Sequence, residues 1–95
     1  MQTTQAFITA MNALELNQRA VDDIQPLIAD SVSSLQRVYG IRGSDFEWVR
    51  KLDGWLKTLK DMSAHDALDE DQARQLLFDL NNSYSEFNNF LNASS

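Results

Sequence analysis

Apolar residues recur at intervals of three and four along almost the whole of this chain, and nowhere does a strict apolar–polar alternation last long enough for a half-buried strand. Positions three and four apart share one face of an α-helix, so the pattern restricts the fold to the all-α class. Only three Gly and one Pro interrupt it, and two of the Gly fall together in Tyr39-Gly40-Ile41-Arg42-Gly43-Ser44, the clearest break in the chain. That loop divides the chain into halves. At 95 residues there is material for one hydrophobic core but not two, so residues 1–95 are expected to form a single domain.

Four helices are predicted, over about residues 4–16, 22–39, 45–62 and 69–92. The first carries Phe7, Met11 and Leu14 on one stripe with Ile8 beside them. Ahead of the second, Asp22 and Asp23 precede Pro26, which suits an acidic N-cap with proline in the first turn, where its missing N–H costs little. Its stripe is Ile24, Ile28, Val32, Leu35 and Tyr39, widened by Leu27 and Val38, with Gly40 as the stop and Arg37 at the negative end of the helix dipole. Ser44 and Glu47 have the form of a capping box opening the third helix. There Trp48, Leu52, Trp55, Leu59 and Met62 line up, broadened by Phe46, Val49 and Leu56. Gly54 costs about 1 kcal/mol relative to Ala in a helix interior, so a close neighbour is expected beside it. Asp69 and Gln72 form a second capping box, and the last helix carries Ala73, Leu76 or Leu77, Leu80, Tyr84, Phe87 and Leu91 before Asn92-Ala93-Ser94-Ser95 ends the chain. Short connections between amphipathic helices favour antiparallel neighbours; an up-down-up-down four-helix bundle is expected.

Charge and chemistry narrow the function. Residues 1–60 hold seven acidic and seven basic side chains, whereas residues 61–95 hold seven acidic and one basic. Nucleic-acid binding needs a basic surface, and the one concentration of cations, Arg50, Lys51, Lys57 and Lys60, reads first as a solvated helix face. No nucleic acid is expected. The absence of Cys excludes disulfides and thiolate ligands and fits a reducing cytosol. No apolar run approaches the roughly 20 residues that cross a bilayer, and no signal-peptide layout opens the chain, so no direct membrane insertion is expected.

The sole His, His65, stands beside Asp66 with no second His or Cys to complete a zinc site and no serine in an elbow motif. It reads as an exposed loop histidine. Asp66, Asp69, Glu70 and Asp71 lack the central Gly of a calcium loop and are explained by helix capping and the dipole. Enzymatic activity, metal sites and cofactors are not expected. Phe78 lies off the main stripe of the last helix, near Arg74 and Asn81 or Asn82, and Phe90 is likewise offset. A broad apolar arc can absorb both into the core, which is the preferred reading; if exposed, an aromatic beside an Arg has the composition of a binding hot spot.

Several separated motifs carry a family resemblance: Phe7-Ile8-Thr9-Ala10-Met11 with Leu14 and Leu16; Ala20, Asp22 and Pro26-Leu27; Asp45-Phe46-Glu47 with Trp55-Leu56, Leu59, Met62-Ser63-Ala64 and Asp66; and Arg74-Gln75-Leu76-Leu77-Phe78-Asp79-Leu80 with Tyr84 and Phe87. In their order and spacing the chain resembles the C-terminal domain of the vacuolar protein sorting-associated protein 28 family, a subunit of the ESCRT-I complex. The resemblance implies a four-helix bundle that acts as an adaptor, cytoplasmic and peripheral at endosomal membranes, in sorting ubiquitinated cargo into multivesicular bodies. It implies as partners the GLUE-domain subunit of ESCRT-II and, as a further candidate, an ESCRT-III subunit. Other ESCRT-I subunits would be held through a missing N-terminal part, with Met1 as the start of an excised module. Candidate partner-binding residues are Arg74, Phe78 and Asp79 together with Arg50, Lys57 and Lys60 on the basic side of the third helix. A competing reading is a structural or self-associating bundle that forms a homodimer through the same apolar residues.

Overall fold

A computed structural model describes residues 2–93 of the chain; Met1, and the Ser94 and Ser95 expected to trail the last helix, lie outside the described residues. Four helices account for the architecture: α1 (Thr3–Glu15), α2 (Val21–Tyr39), α3 (Glu47–Asp61) and α4 (Glu70–Ala93). Each packs on its neighbours in the sequence, and α4 closes the ring against α1. The start of α1 meets the end of α2, where the Thr3 and Ser34 hydroxyls share a buried hydrogen bond. At the same end of the bundle Tyr39, Phe46 and Phe90, from the end of α2, the entry to α3 and the end of α4, meet edge to face. At the other end the α1–α2 and α3–α4 connections pair through Ala20 and Ala67. The helices therefore run up, down, up and down, as the short connections between them favour.

The stripes read from the sequence supply the core. Phe7, Ile24, Ile28, Leu35, Leu52, Leu59, Leu76, Leu80 and Phe87 are fully buried. Phe7 stacks on Phe87 at 5.7 Å between ring centroids, and Tyr39 meets Phe87 edge-on at 5.2 Å. Such arrangements add to plain area burial. The stripe of α2 overreaches at its end: Val38 and Tyr39 lie at the surface, as does Phe46 before α3.

Several local expectations are revised. Helix α1 stops where Asn17 adopts a left-handed conformation, φ 64°. The Gln18 N–H donates to the Ala13 carbonyl and the Asn17 N–H to that of Leu14, the paired closure that satisfies the last carbonyls of a helix. Gly40, φ 66°, ends α2 in the same conformation. Pro26 does not sit in the first turn of α2. The helix begins at Val21 with Ala20 as its N-cap and no side-chain cap, and the first intrahelical bond is already made by the Ile24 N–H to Ala20. Pro26 thus leaves the carbonyl of Asp22 without its helical donor. The early start has a tertiary cause: the Val21 N–H donates to the Asp66 carbonyl, and the Leu68 N–H to that of Arg19. An orphaned helix donor is satisfied by the opposite connection.

The Ser44 capping box does not form either. Phe46 is the N-cap of α3 in extended conformation without a side-chain cap, and Asp45 Oδ2 accepts from the Arg42 N–H at 2.8 Å to close the preceding turn. The box before α4 does form: Gln72 N–H to Asp69 Oδ1 is 2.7 Å and Asp69 N–H to Gln72 Oε1 is 3.1 Å.

Candidate functional site

Of the residues singled out as partner-binding, the boundary between α3 and α4 takes in Asp79, whereas Arg74 lines a separate groove between α1 and α4. Helix periodicity puts Trp55 at the edge of α3 that meets α4, and Asp79 at the facing edge of α4. The Trp55 indole N–H donates to Asp79 Oδ2 at 2.7 Å, and the Gln75 amide donates to Asp79 Oδ1 at 3.1 Å. Asp79 is only 7% exposed. A buried carboxylate is tolerated when its oxygens are hydrogen-bonded, and here each of them has a donor. One turn further along, Ser83 Oγ donates to the Trp48 carbonyl at 3.4 Å, a second polar tie between the same two helices.

Above this latch lies an open groove of about 440 Å³, walled by Lys51, Thr58 and Trp55 on α3 and by Gln72 and Gln75 on α4. Gly54 lines it as well. No atom stands within 4 Å of where a side chain on Gly54 would begin, so the expected close neighbour is absent, and the missing side chain leaves the flank of Trp55 open. The groove mixes one aromatic surface with amides, a hydroxyl and a lysine, which can bind a peptide surface.

Of the candidate residues, Arg74 and Phe78 are four apart on the outward face of α4. Phe78 is 65% exposed, so its preferred assignment to the core is corrected; Phe90, by contrast, packs partly buried against the core cluster. Phe78 escapes because Leu77 and Tyr84 fill the boundary with α1, and Asp79 and Ser83 the boundary with α3. The angular position between them points to solvent. Arg74 pairs with Glu70 at 3.1 Å and more loosely with Asp71 at 4.0 Å, all three side chains being exposed. Exposed pairs of this kind contribute little to stability, which leaves the guanidinium open to exchange partners.

On α3, Arg50 and Lys57 are exposed and seven residues apart, so they lie on one outward face. Lys60 is exposed too, but its helical position turns it toward the α2 side. Asp79 takes its place beneath the groove as the anchor of Trp55. Sequence reasoning missed Lys51, Trp55 and Gln75 as site residues; the available signal was Gly54, a helix-interior glycine one position before a tryptophan.

No catalytic arrangement is assembled among the described residues. His65 is exposed, and Asp66 turns its carboxylate to the Ser63 N–H at 3.0 Å rather than to the imidazole. No group of three or more potential metal ligands converges among the described residues, and no helix there is long and apolar enough to cross a membrane. Partial burial raises the Asp53 carboxyl above its ordinary value, away from this groove.

Comparison with known proteins agrees with the fold. The family model described as VPS28 protein matches residues 1–91. Vacuolar protein sorting-associated protein 28 of Dictyostelium discoideum is 44% identical over 86 residues, covering 90% of this chain and 30% of that protein. Homolog 1 from Arabidopsis thaliana is 46% identical over 86 residues, with 90% and 41% covered. Among solved structures, the yeast ESCRT-I Vps28 C-terminus superposes with a TM-score of 0.82 at 40% identity, covering 93% of this chain and 86% of that one. The C-terminal domain of Vps28 in a second crystal structure gives 0.76 at 41% identity, with 90% of each chain covered. The chain thus spans a third or so of the full-length relatives and nearly all of the solved C-terminal domains.

Proposed function

The chain belongs to the VPS28 protein family, and from that membership we propose that it is the adaptor module of an ESCRT-I subunit. It works in the cytoplasm at endosomal membranes, recruiting the GLUE-domain subunit of ESCRT-II, and as a second client an ESCRT-III subunit, during sorting of ubiquitinated cargo. Its remaining ESCRT-I contacts belong to other parts of the full-length subunit. The bundle performs no chemistry; it presents a rigid surface.

The observation that carries this reading is Phe78, a large aromatic left in solvent on a rigid helix one turn from an exposed Arg74. Burying such a ring at an interface removes enough apolar area to dominate the binding energy of a small contact. Lys51 on the wall of the groove and Arg74 one turn from Phe78 supply positive charge, with Arg50 and Lys57 on the exposed side of α3, which fits a partner segment carrying carboxylates around one apolar side chain.

The test is an NMR titration of the labelled chain with the GLUE-domain subunit, and separately with the ESCRT-III subunit. Saturable amide shifts centred on Lys51–Thr58 and Arg74–Asn82 are expected, and Phe78→Ala should weaken binding about tenfold while leaving thermal stability unchanged. Shifts confined to another face, or none in a folded chain, would remove this surface from the function. A concentration-dependent dimer lost in Phe78→Ala would instead support the self-associating bundle.

A further inference from the structure

On the opposite side of the bundle, α1 and α2 enclose a second groove of about 460 Å³, whose walls include Thr9, Asn12 and Leu16 from α1 and Asp23 and Leu27 from α2. Two features set it apart from the groove between α3 and α4. Leu16 is 73% exposed, held at the surface because it caps α1 just before the left-handed Asn17. Leu27 is half-buried against the core, so a leucine on each wall gives the groove an apolar strip.

The second feature is uncompensated negative charge. Helix α1 contains no Lys or Arg, and Asp30 stands seven residues beyond the groove's Asp23 on the same side of α2, about 10 Å further along the axis. Neither aspartate has an ion-pair partner among the described residues, where both ion pairs belong to Arg74. Arg19, the cation closest to Asp23 in the sequence, lines a different groove, between α1 and α4, together with Glu15, Glu70 and Arg74. The next on the α2 rim is Arg37, seven residues beyond Asp30 and about 10 Å further along.

We infer that the α1–α2 groove is a docking site for a basic amphipathic segment of a partner protein, one that sets an apolar side chain between Leu16 and Leu27 and places Lys or Arg against Asp23 and Asp30. The acidic rim repels anionic lipid and nucleic acid and attracts such a segment, and pairing the two aspartates gives the site an orientation. This surface is separate from the α3–α4 face, so the inference does not depend on the function proposed above. With both, the bundle holds two partners of opposite charge at once.

The probe is a synthetic lysine–leucine peptide of about five helical turns, with leucines along one face and lysines along its edges. Its twins are a peptide with Glu for every Lys and a scrambled sequence of the same composition. Titrated into the labelled chain, the lysine peptide should shift Thr9, Asn12, Leu16, Asp23 and Leu27, and both twins should bind at least about tenfold more weakly. The double substitution Asp23→Lys, Asp30→Lys should weaken binding about tenfold, whereas Asp61→Lys with Glu86→Lys, the same change of net charge placed on α3 and α4, should change it less than about twofold. Leu16→Ala should weaken it about fivefold. Equal losses in the two charge variants, equal binding of a twin, or shifts spread over the acidic connections would overturn the inference. So would a dimer of the chain alone, seen by sedimentation and lost in Asp23→Lys, Asp30→Lys, which would give the groove to a second copy.

Discussion

Replacing Asp79 by Ala should be among the most destabilising polar substitutions in this bundle. The carboxylate accepts two hydrogen bonds and is almost wholly buried. Hydrogen bonds to a charged group contribute about 1.5–3 kcal/mol, and a donor left unsatisfied in a desolvated site costs a further share of about 1–3 kcal/mol. Gln75 is exposed and can turn its amide to water, so the loss concentrates on Trp55, whose indole N–H is partly buried. The expected cost is about 2–3 kcal/mol, or a fall in melting temperature of about 8–24 °C for a domain of this size. Asp79→Asn retains an acceptor for the indole and should lose about half as much. Urea unfolding followed by circular dichroism and tryptophan fluorescence measures all three proteins. Crossing Asp79→Ala with Trp55→Phe isolates the contact, and a coupling energy of about 1–2 kcal/mol is expected. A cost of Asp79→Ala below about 0.5 kcal/mol, or a coupling near zero, would refute the latch. The two helices would then be held by their apolar residues alone.

Asp69→Ala removes the reciprocal cap of α4 and should cost about 1 kcal/mol in urea unfolding, whereas Ser44→Ala, at a box that does not form, should change stability by less than about 0.5 kcal/mol. Pro26→Ala restores a donor to the Asp22 carbonyl and should stabilise the chain by about 1–2 kcal/mol; a loss would mean that Pro26 does not interrupt the hydrogen-bond ladder. Burial raises the Asp53 carboxyl above its usual range, so the native state takes up that proton before the unfolded chain does. Its stabilising share is therefore complete below the ordinary carboxylate range and is lost as pH rises through the raised value. Asp53→Asn should be more stable than the parent near neutrality and equal to it near pH 3, below about the ordinary carboxylate range, and a constant difference in urea midpoint at both pH values would contradict this.

Much of the fold was legible because helical periodicity is a property of consecutive residues. The stripes Ile24–Ile28–Leu35 and Leu52–Leu59 were read directly and are buried. The Asp69–Gln72 box was equally local, four adjacent residues satisfying one another. The same logic failed at Ser44, whose motif was present while Asp45 was drawn into the turn with Arg42, and at Pro26, because the start of α2 answers to Asp66 across the bundle. At the candidate site, Arg74 and Phe78 were found through composition and resemblance. The sequence pattern favours the core for Phe78 because a helical wheel shows where an apolar arc could extend but not where the neighbouring helices stop. Trp55 stands in the sequence as a core position and as part of a family motif, with nothing local to mark its bond to Asp79.

The sequence by itself determined the class, the number of helices, most of the buried residues and the family, since each is written in spacing or in motifs along one strand of chain. Tertiary structure decided which apolar residues stay in solvent, where α2 begins, and what Asp79 does. Those outcomes depend on groups many positions apart: the Trp55 indole across α3, the Asp66 carbonyl in the opposite connection, and the helices that leave Phe78 and Leu16 uncovered. A local pattern cannot specify a surface formed by the approach of two helices, and both grooves of this bundle are surfaces of that kind.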